Sequence, residues 1–186
     1  AALIGVCYGE DTPRLRALVR ASTRITHTDP KAEYGALTVA LAARVASTGE
    51  DITPVDFARL LAQQNDDTEF NALVANVCDS IARQETSEAF AERIGCAKGV
   101  SGYMYHTLPC VLHVWLTHQN DYRAAITQMV RLGGDSDTTA AIVGAIVGAR
   151  VGRAGLPREW LNSLVEWPRS IAWMEQLATR LAVSFD

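Results

Sequence analysis

The chain has 186 residues, and 48% of them are hydrophobic against 20% charged. That composition excludes collagen-like, low-complexity and disordered classes and gives enough apolar material for one core-forming domain over residues 1–186. Seventeen basic and 21 acidic residues leave a net charge of −4, so no cationic excess recommends nucleic acid or an anionic membrane as partner.

In chain order, Ala2 to Tyr8 reads as a modest strand. Leu15, Leu18 and Val19 then begin a helical pattern near 12–26. Leu37, Ala40, Leu41 and Val45 predict a helix over 30–47, and 54–64 follows. Phe70, Leu73, Val74, Val77, Cys78 and Ile81 carry the i, i+3, i+4 rule through 68–83. Further helices are expected near 87–94, 103–119, 121–132, 136–153, 157–166 and 169–183, with a weaker strand signal at Val100 to Tyr105. Thr12-Pro13, Asp29-Pro30 and Thr53-Pro54 each place a capping oxygen before a proline at a helix start. Gly49, Gly95, Gly99 and Gly155 punctuate the ends. The four tryptophans, Trp115, Trp160, Trp167 and Trp173, sit at helical spacing and read as core. The fold class is therefore all-α, without repeats or linkers.

Cys7, Cys78, Cys96 and Cys110 form no C-x-x-C pair and fit no zinc spacing, which points to reduced thiols and a cytoplasmic setting. No leader pattern opens the chain. The uncharged run from Thr138 to Ala149 is too short for a bilayer span of about 20 residues.

One segment carries chemistry: Gly133-Gly134-Asp135-Ser136-Asp137-Thr138. Two carboxylates one residue apart stand where a glycine pair meets a helix, with a hydroxyl beside them. Such oxygens suit a hard divalent cation, which relieves the repulsion between the carboxylates. Asp, Ser and Thr are also ordinary helix caps, and that plainer reading stays open on these residues alone. Gly144, Gly148 and Gly152 follow at four-residue intervals. Each costs about 1 kcal/mol relative to Ala inside a helix, so the stripe predicts close packing and burial. A buried helix opened by two aspartates needs something to neutralise them. Elsewhere, Asn65-Asp66-Asp67-Thr68 reads as a helix cap, and His106 and His113 as packing or surface residues.

Gly133 to Thr138, with Ala140-Ala141 and Gly144-Ala145, resembles the C-terminal signature of the ADP-ribosylglycohydrolases. Ile25-Thr26-His27-Thr28-Asp29-Pro30 with Gly35-Ala36 is similar to the family's THxxP…GA segment. Ser101-Gly102-Tyr103 with Thr107-Leu108-Pro109 is similar to its GY…TLP segment, and Leu156-Pro157 with Trp160-Leu161 to its closing one. The resemblance implies a multi-helix orthogonal bundle and a site for two Mg²⁺ ions, Mn²⁺ in some members. It implies that Asp135, Asp137 and Thr138 are metal ligands, and that His27, Gly102, Tyr103 and Gly134 lie against the ADP-ribose. It implies hydrolysis of the glycosidic bond between ADP-ribose and a protein side chain or small acceptor, with metals orienting the ribose and polarising water.

The family's glutamate and Ser/Thr-Asp-Asp motif have no counterpart before Asp135. The expectation is therefore a chain corresponding to the C-terminal portion of such a hydrolase. Catalytic residues are expected upstream of Ala1, metal affinity should be weak, and apolar helix faces should be free to self-associate into a homo-oligomer. The alternative is a non-catalytic structural or ADP-ribose-binding module on the same fold. An unrelated metal phosphohydrolase would need His-Asp pairs that the sequence lacks.

Overall fold

Most helices begin where the sequence supplies a capping oxygen, and several end at or just before a glycine, in the computed structural model, which describes residues 1–184. The helices are α1 (Ala2–Tyr8), α2 (Thr12–Arg24), α3 (Pro30–Ser47), α4 (Pro54–Ala62), α5 (Thr68–Ala82), α6 (Ser87–Arg93), α7 (Met104–Thr117), α8 (Tyr122–Arg131), α9 (Ser136–Val151), α10 (Arg158–Ser163) and α11 (Ile171–Val183). A single 3₁₀ turn, Arg153–Gly155, follows α9. Among the described residues the only β-type pairing is one isolated parallel bridge, Val100 to Gly134. The fold is an all-α bundle, as the periodicities predicted.

Two helices form the interior. Along α7 every residue from Thr107 to Leu116 is buried, and α3 buries nine side chains or glycines between Gly35 and Ala46. Alanine dominates the buried face of α3, so α1, α2, α7 and α9 approach it closely. The core between α4 and α7 is anchored by Phe57 and Trp115, edge to face with centroids 4.8 Å apart, an arrangement worth about 0.5–1.5 kcal/mol beyond the area buried. Helices α8 and α9 pack as a pair, with Ile126 and Tyr122 against Gly144.

Several expectations are corrected. Ala2–Tyr8 is a helix, not a strand. Seven apolar residues carry no decisive period, and Gly5 settles the matter by letting α1 lie directly on α3; a Cβ there would overlap the Ala40 carbonyl. The cap of α2 is Asp11, accepting from the Arg14 amide, rather than Thr12. Thr53 and Asp67 cap as expected, accepting from the Asp56 and Phe70 amides. Gly152 is no packing glycine: at φ +60° it ends α9, with nothing within 4 Å of where a Cβ would stand. Helix α9 is only half buried, since Ala141 and Ala145 are exposed. Of the tryptophans only Trp115 is core. Trp167 is 93% exposed and Trp173 39%, while Trp160 lies partly open beneath Arg123 and edge-on to Tyr122.

Candidate functional site

The site is made by a backbone weld between two loops. Gly133 and Gly134 both take positive φ, +69° and +79°, and Gly99 takes +111°. These conformations bring residues 99–100 flat against 133–135. The Val100 amide donates to the Gly133 carbonyl at 3.1 Å, and the Asp135 amide donates to the Val100 carbonyl at 2.8 Å. A Cβ on Gly99 would stand 2.5 Å from the Gly134 nitrogen, so glycine is required by contact as well as by φ. The weak extended signal at Val100 was thus real, but its partner is a loop rather than a strand.

Asp135 occupies the N-cap position of α9, yet its side chain makes no capping hydrogen bond. Every other cap between α2 and α6, and that of α8, uses its side-chain oxygen. The Asp135 carboxylate points instead across the weld, where its Oδ2 lies 2.8 Å from the place a Cβ on Gly102 would take. It also lies close to the Asp137 carboxyl. That contact, followed by the Thr138 and Asp137 amides, holds Asp137 below the ordinary carboxylate range. Ser136 is half-buried, and Asp137 and Thr138 are exposed. The structure therefore brings Asp135, Asp137, Gly102 and Gly134 together, with Thr138 in the same first turn of the helix. Two neighbouring carboxylates, one of them free of capping duty, with a hydroxyl beside them fit a hard divalent cation. They supply only part of a shell: among the described residues no group of three or more His, Cys, Asp or Glu side chains could hold a metal ion.

Thr138, Ala141 and Ala145 form one wall of a groove of about 440 Å³, whose opposite wall is Gly35, Ala36 and Met104. Ala36 and Met104 also line an adjoining recess of about 220 Å³ that ends at Thr26 and His27. His27 is exposed, with Nδ1 2.8 Å from Thr26 Oγ1. Tyr103 follows Gly102 as the N-cap residue of α7, 44% exposed, its ring edge-on to His106 at 5.2 Å. His106 is fixed in turn through Nδ1 to Ser101 Oγ at 3.0 Å. A larger groove, about 750 Å³, lies elsewhere, between the Gly144–Gly148 stretch of α9 and the α11 residues Ile171 and Met174. It is apolar and its one carboxylate, Glu175, is paired with Arg153, so it lacks the chemistry of the acidic pair.

Residues 1–186 match the ADP-ribosylglycohydrolase family. The chain belongs to that family. It is 38% identical over 78 residues to the ADP-ribosylarginine hydrolase Tri1 of Serratia proteamaculans, covering 41% of this chain and 21% of that protein. It is 36% identical over 64 residues to the ADP-ribosyl-[dinitrogen reductase] glycohydrolase of Rhodospirillum rubrum, covering 34% and 21%. With the ADP-ribosylhydrolase ARH3 of Bos taurus it shares 24% identity over 174 residues, covering 80% of this chain and 47% of that one. The matched regions span about half or less of these relatives. Two contributors to the site carry no motif signal. Gly99 looked like a helix terminator, whereas its positive φ mirrors that of Gly134. Met104 walls both recesses, and only the glycine opposite it, Gly35, hinted at close approach.

Proposed function

We propose that the chain forms the ADP-ribose-holding part of a Mg²⁺-dependent ADP-ribosyl hydrolase that cleaves the glycosidic bond between ADP-ribose and a protein side chain or small acceptor. The observation that carries this reading is the Asp135 carboxylate, which gives up its capping bond to meet Asp137 beside Gly102. Asp135, Asp137 and Thr138 would hold the cation. When bound, it would supply a positive centre that orients ribose hydroxyls and lowers the pKa of water. The chain's own residues do the rest. Gly134 lets the two loops close, and Gly102 leaves room beside the Asp135 carboxylate, so a sugar can approach it. His27 closes the recess that adjoins the groove, and Tyr103 follows Gly102 beside the acidic pair. The groove beside Thr138, with mostly apolar walls, limits the water that reaches the reacting carbon.

With two carboxylates, the chain by itself binds Mg²⁺ weakly, and a full shell draws on water, ribose hydroxyls or further protein ligands. The test is calorimetry of ADP-ribose with and without Mg²⁺ or Mn²⁺, alongside ADP-ribose release from ADP-ribosylated arginine, serine and small acceptors by the whole protein. Metal-enhanced binding that is lost in Asp135→Asn, with metal-dependent release, is the expected result. Binding indifferent to metal and to Asp135→Asn, with no release from any acceptor, overturns it. A second reading, a non-catalytic ADP-ribose-binding or structural module, is favoured by the lack of a third acidic ligand among the described residues. It predicts unaltered ADP-ribose binding in the variant and no turnover by the whole protein.

A further inference from the structure

Lys31 lies in the first turn of α3, outside every motif discussed above. Its Nζ donates to Glu69 Oε2 at 2.8 Å and to the Tyr103 hydroxyl at 2.9 Å, and stands 4.3 Å above the Tyr105 ring. Glu69 lies in the first turn of α5, and Tyr103 is the N-cap of α7. An ammonium has thus been placed where the amino ends of three helices converge. Those ends carry partial positive charge, so the position favours an acid rather than a base. Neither does the ion pair serve stability: the Glu69 side chain is 62% exposed, and exposed pairs contribute little. What the arrangement fixes is the direction of one ring. Lys31 holds the hydroxyl end of Tyr103, His106 abuts the ring edge, and nearly half the residue stays open to solvent. Tyr105 is tied separately, its hydroxyl donating to Asp67 Oδ2 at 2.9 Å, which leaves the second polar contact of Lys31 to Tyr103 alone.

We propose that Lys31 and Glu69 are a positioning pair that sets the Tyr103 ring in advance as a flat wall for the base end of the nucleotide sugar whose ribose end meets Asp135. The role presupposes that an ADP-ribosyl group occupies the cleft. Immobilising a side chain before the ligand arrives spares the ordering cost at binding, which corresponds to a 2- to 10-fold gain in affinity, on the order of what one rotamer-rich side chain costs.

The test uses the full chain labelled with 3-fluorotyrosine and two ligands, ADP-ribose and ribose 5-phosphate, the second lacking a base. Among the five tyrosines, Tyr103 is assigned by Tyr103→Phe. In Lys31→Met the Tyr103 fluorine resonance is expected to move toward the free amino acid position, together with that of Tyr105, whose ring also faces the ammonium, while those of Tyr8, Tyr34 and Tyr122 stay unmoved. ADP-ribose should bind about 2- to 10-fold more weakly to this variant, and ribose 5-phosphate equally well. Lys31→Arg should restore both readouts. Tyr103→Phe should repeat the affinity loss, and the double variant should add nothing to it. An unmoved Tyr103 resonance refutes the pair, and so does an equal loss for both ligands. A wild-type chain that binds no ADP-ribose refutes the proposed function instead, while the fluorine spectrum still decides whether Lys31 holds the ring.

Discussion

Gly134→Ala tests the weld that positions the acidic pair. An L-residue at φ +79° costs roughly 1–2 kcal/mol. The new methyl would overlap the Val100 carbonyl oxygen and come within 2.5 Å of the Val100 nitrogen. Because both are backbone atoms, no rotamer change relieves the clash, and the two hydrogen bonds of the weld must stretch or break. At about 1 kcal/mol each they bring the total to about 3–4 kcal/mol. For a chain of this size each kcal/mol shifts the midpoint by about 2–4 °C, so thermal unfolding should fall by about 10 °C. Gly49→Ala is the control. It has the same conformation, φ +80°, with nothing within 4 Å, and should lose only the conformational part. Thermal denaturation with hydrogen exchange at the Asp135 amide reads both effects. The reasoning is refuted if the two variants lose equal stability, or if the Asp135 amide of Gly134→Ala stays as protected as in the wild type.

Asp135→Ala should change the stability of the metal-free chain by less than about 0.5 kcal/mol, because no cap is lost, whereas Asp67→Ala should cost about 1–3 kcal/mol through its lost cap and Tyr105 bond; urea midpoints compare them. Mg²⁺ should raise the melting temperature of the wild type and leave Asp135→Ala unmoved. His113 is 1% exposed between Ser80 and Ser87 and stacked on Phe90 at 4.8 Å, and burial lowers its pKa to about 4. A base whose folded pKa lies below its ordinary 6.5 contributes stability that is complete above pH 6.5 and lost as pH falls toward 4. The loss should be on the order of 3 kcal/mol. Urea midpoints against pH should show this slope in the wild type and its absence in His113→Asn; an unchanged slope assigns the effect to another group.

The helices were legible because capping oxygens and glycines mark their ends and buried faces repeat at 3.6 residues. The short α1 was not: seven apolar residues fit either period, and only its resting place on the alanine face of α3 decides between them. The glycine stripe of α9 carried two meanings that spacing merges. Gly144 admits α8, while Gly152 ends the helix. The acidic pair was legible as a motif, but its freedom from capping was not, since composition cannot tell where a carboxylate turns. Lys31 and Glu69 stayed invisible for a similar reason: they lie 38 residues apart and meet only because three helices converge.

The weld of residues 99–100 with 133–135 uses main-chain atoms alone, so exchanging side chains on either loop cannot alter its length. Provided its three glycines persist, the separation between the two aspartates and the aromatic flank behaves as a fixed ruler cut into the scaffold. Were the cleft to hold an ADP-ribosyl group as proposed, differences in what it accepts would be written instead in the exposed α2–α3 connection around His27.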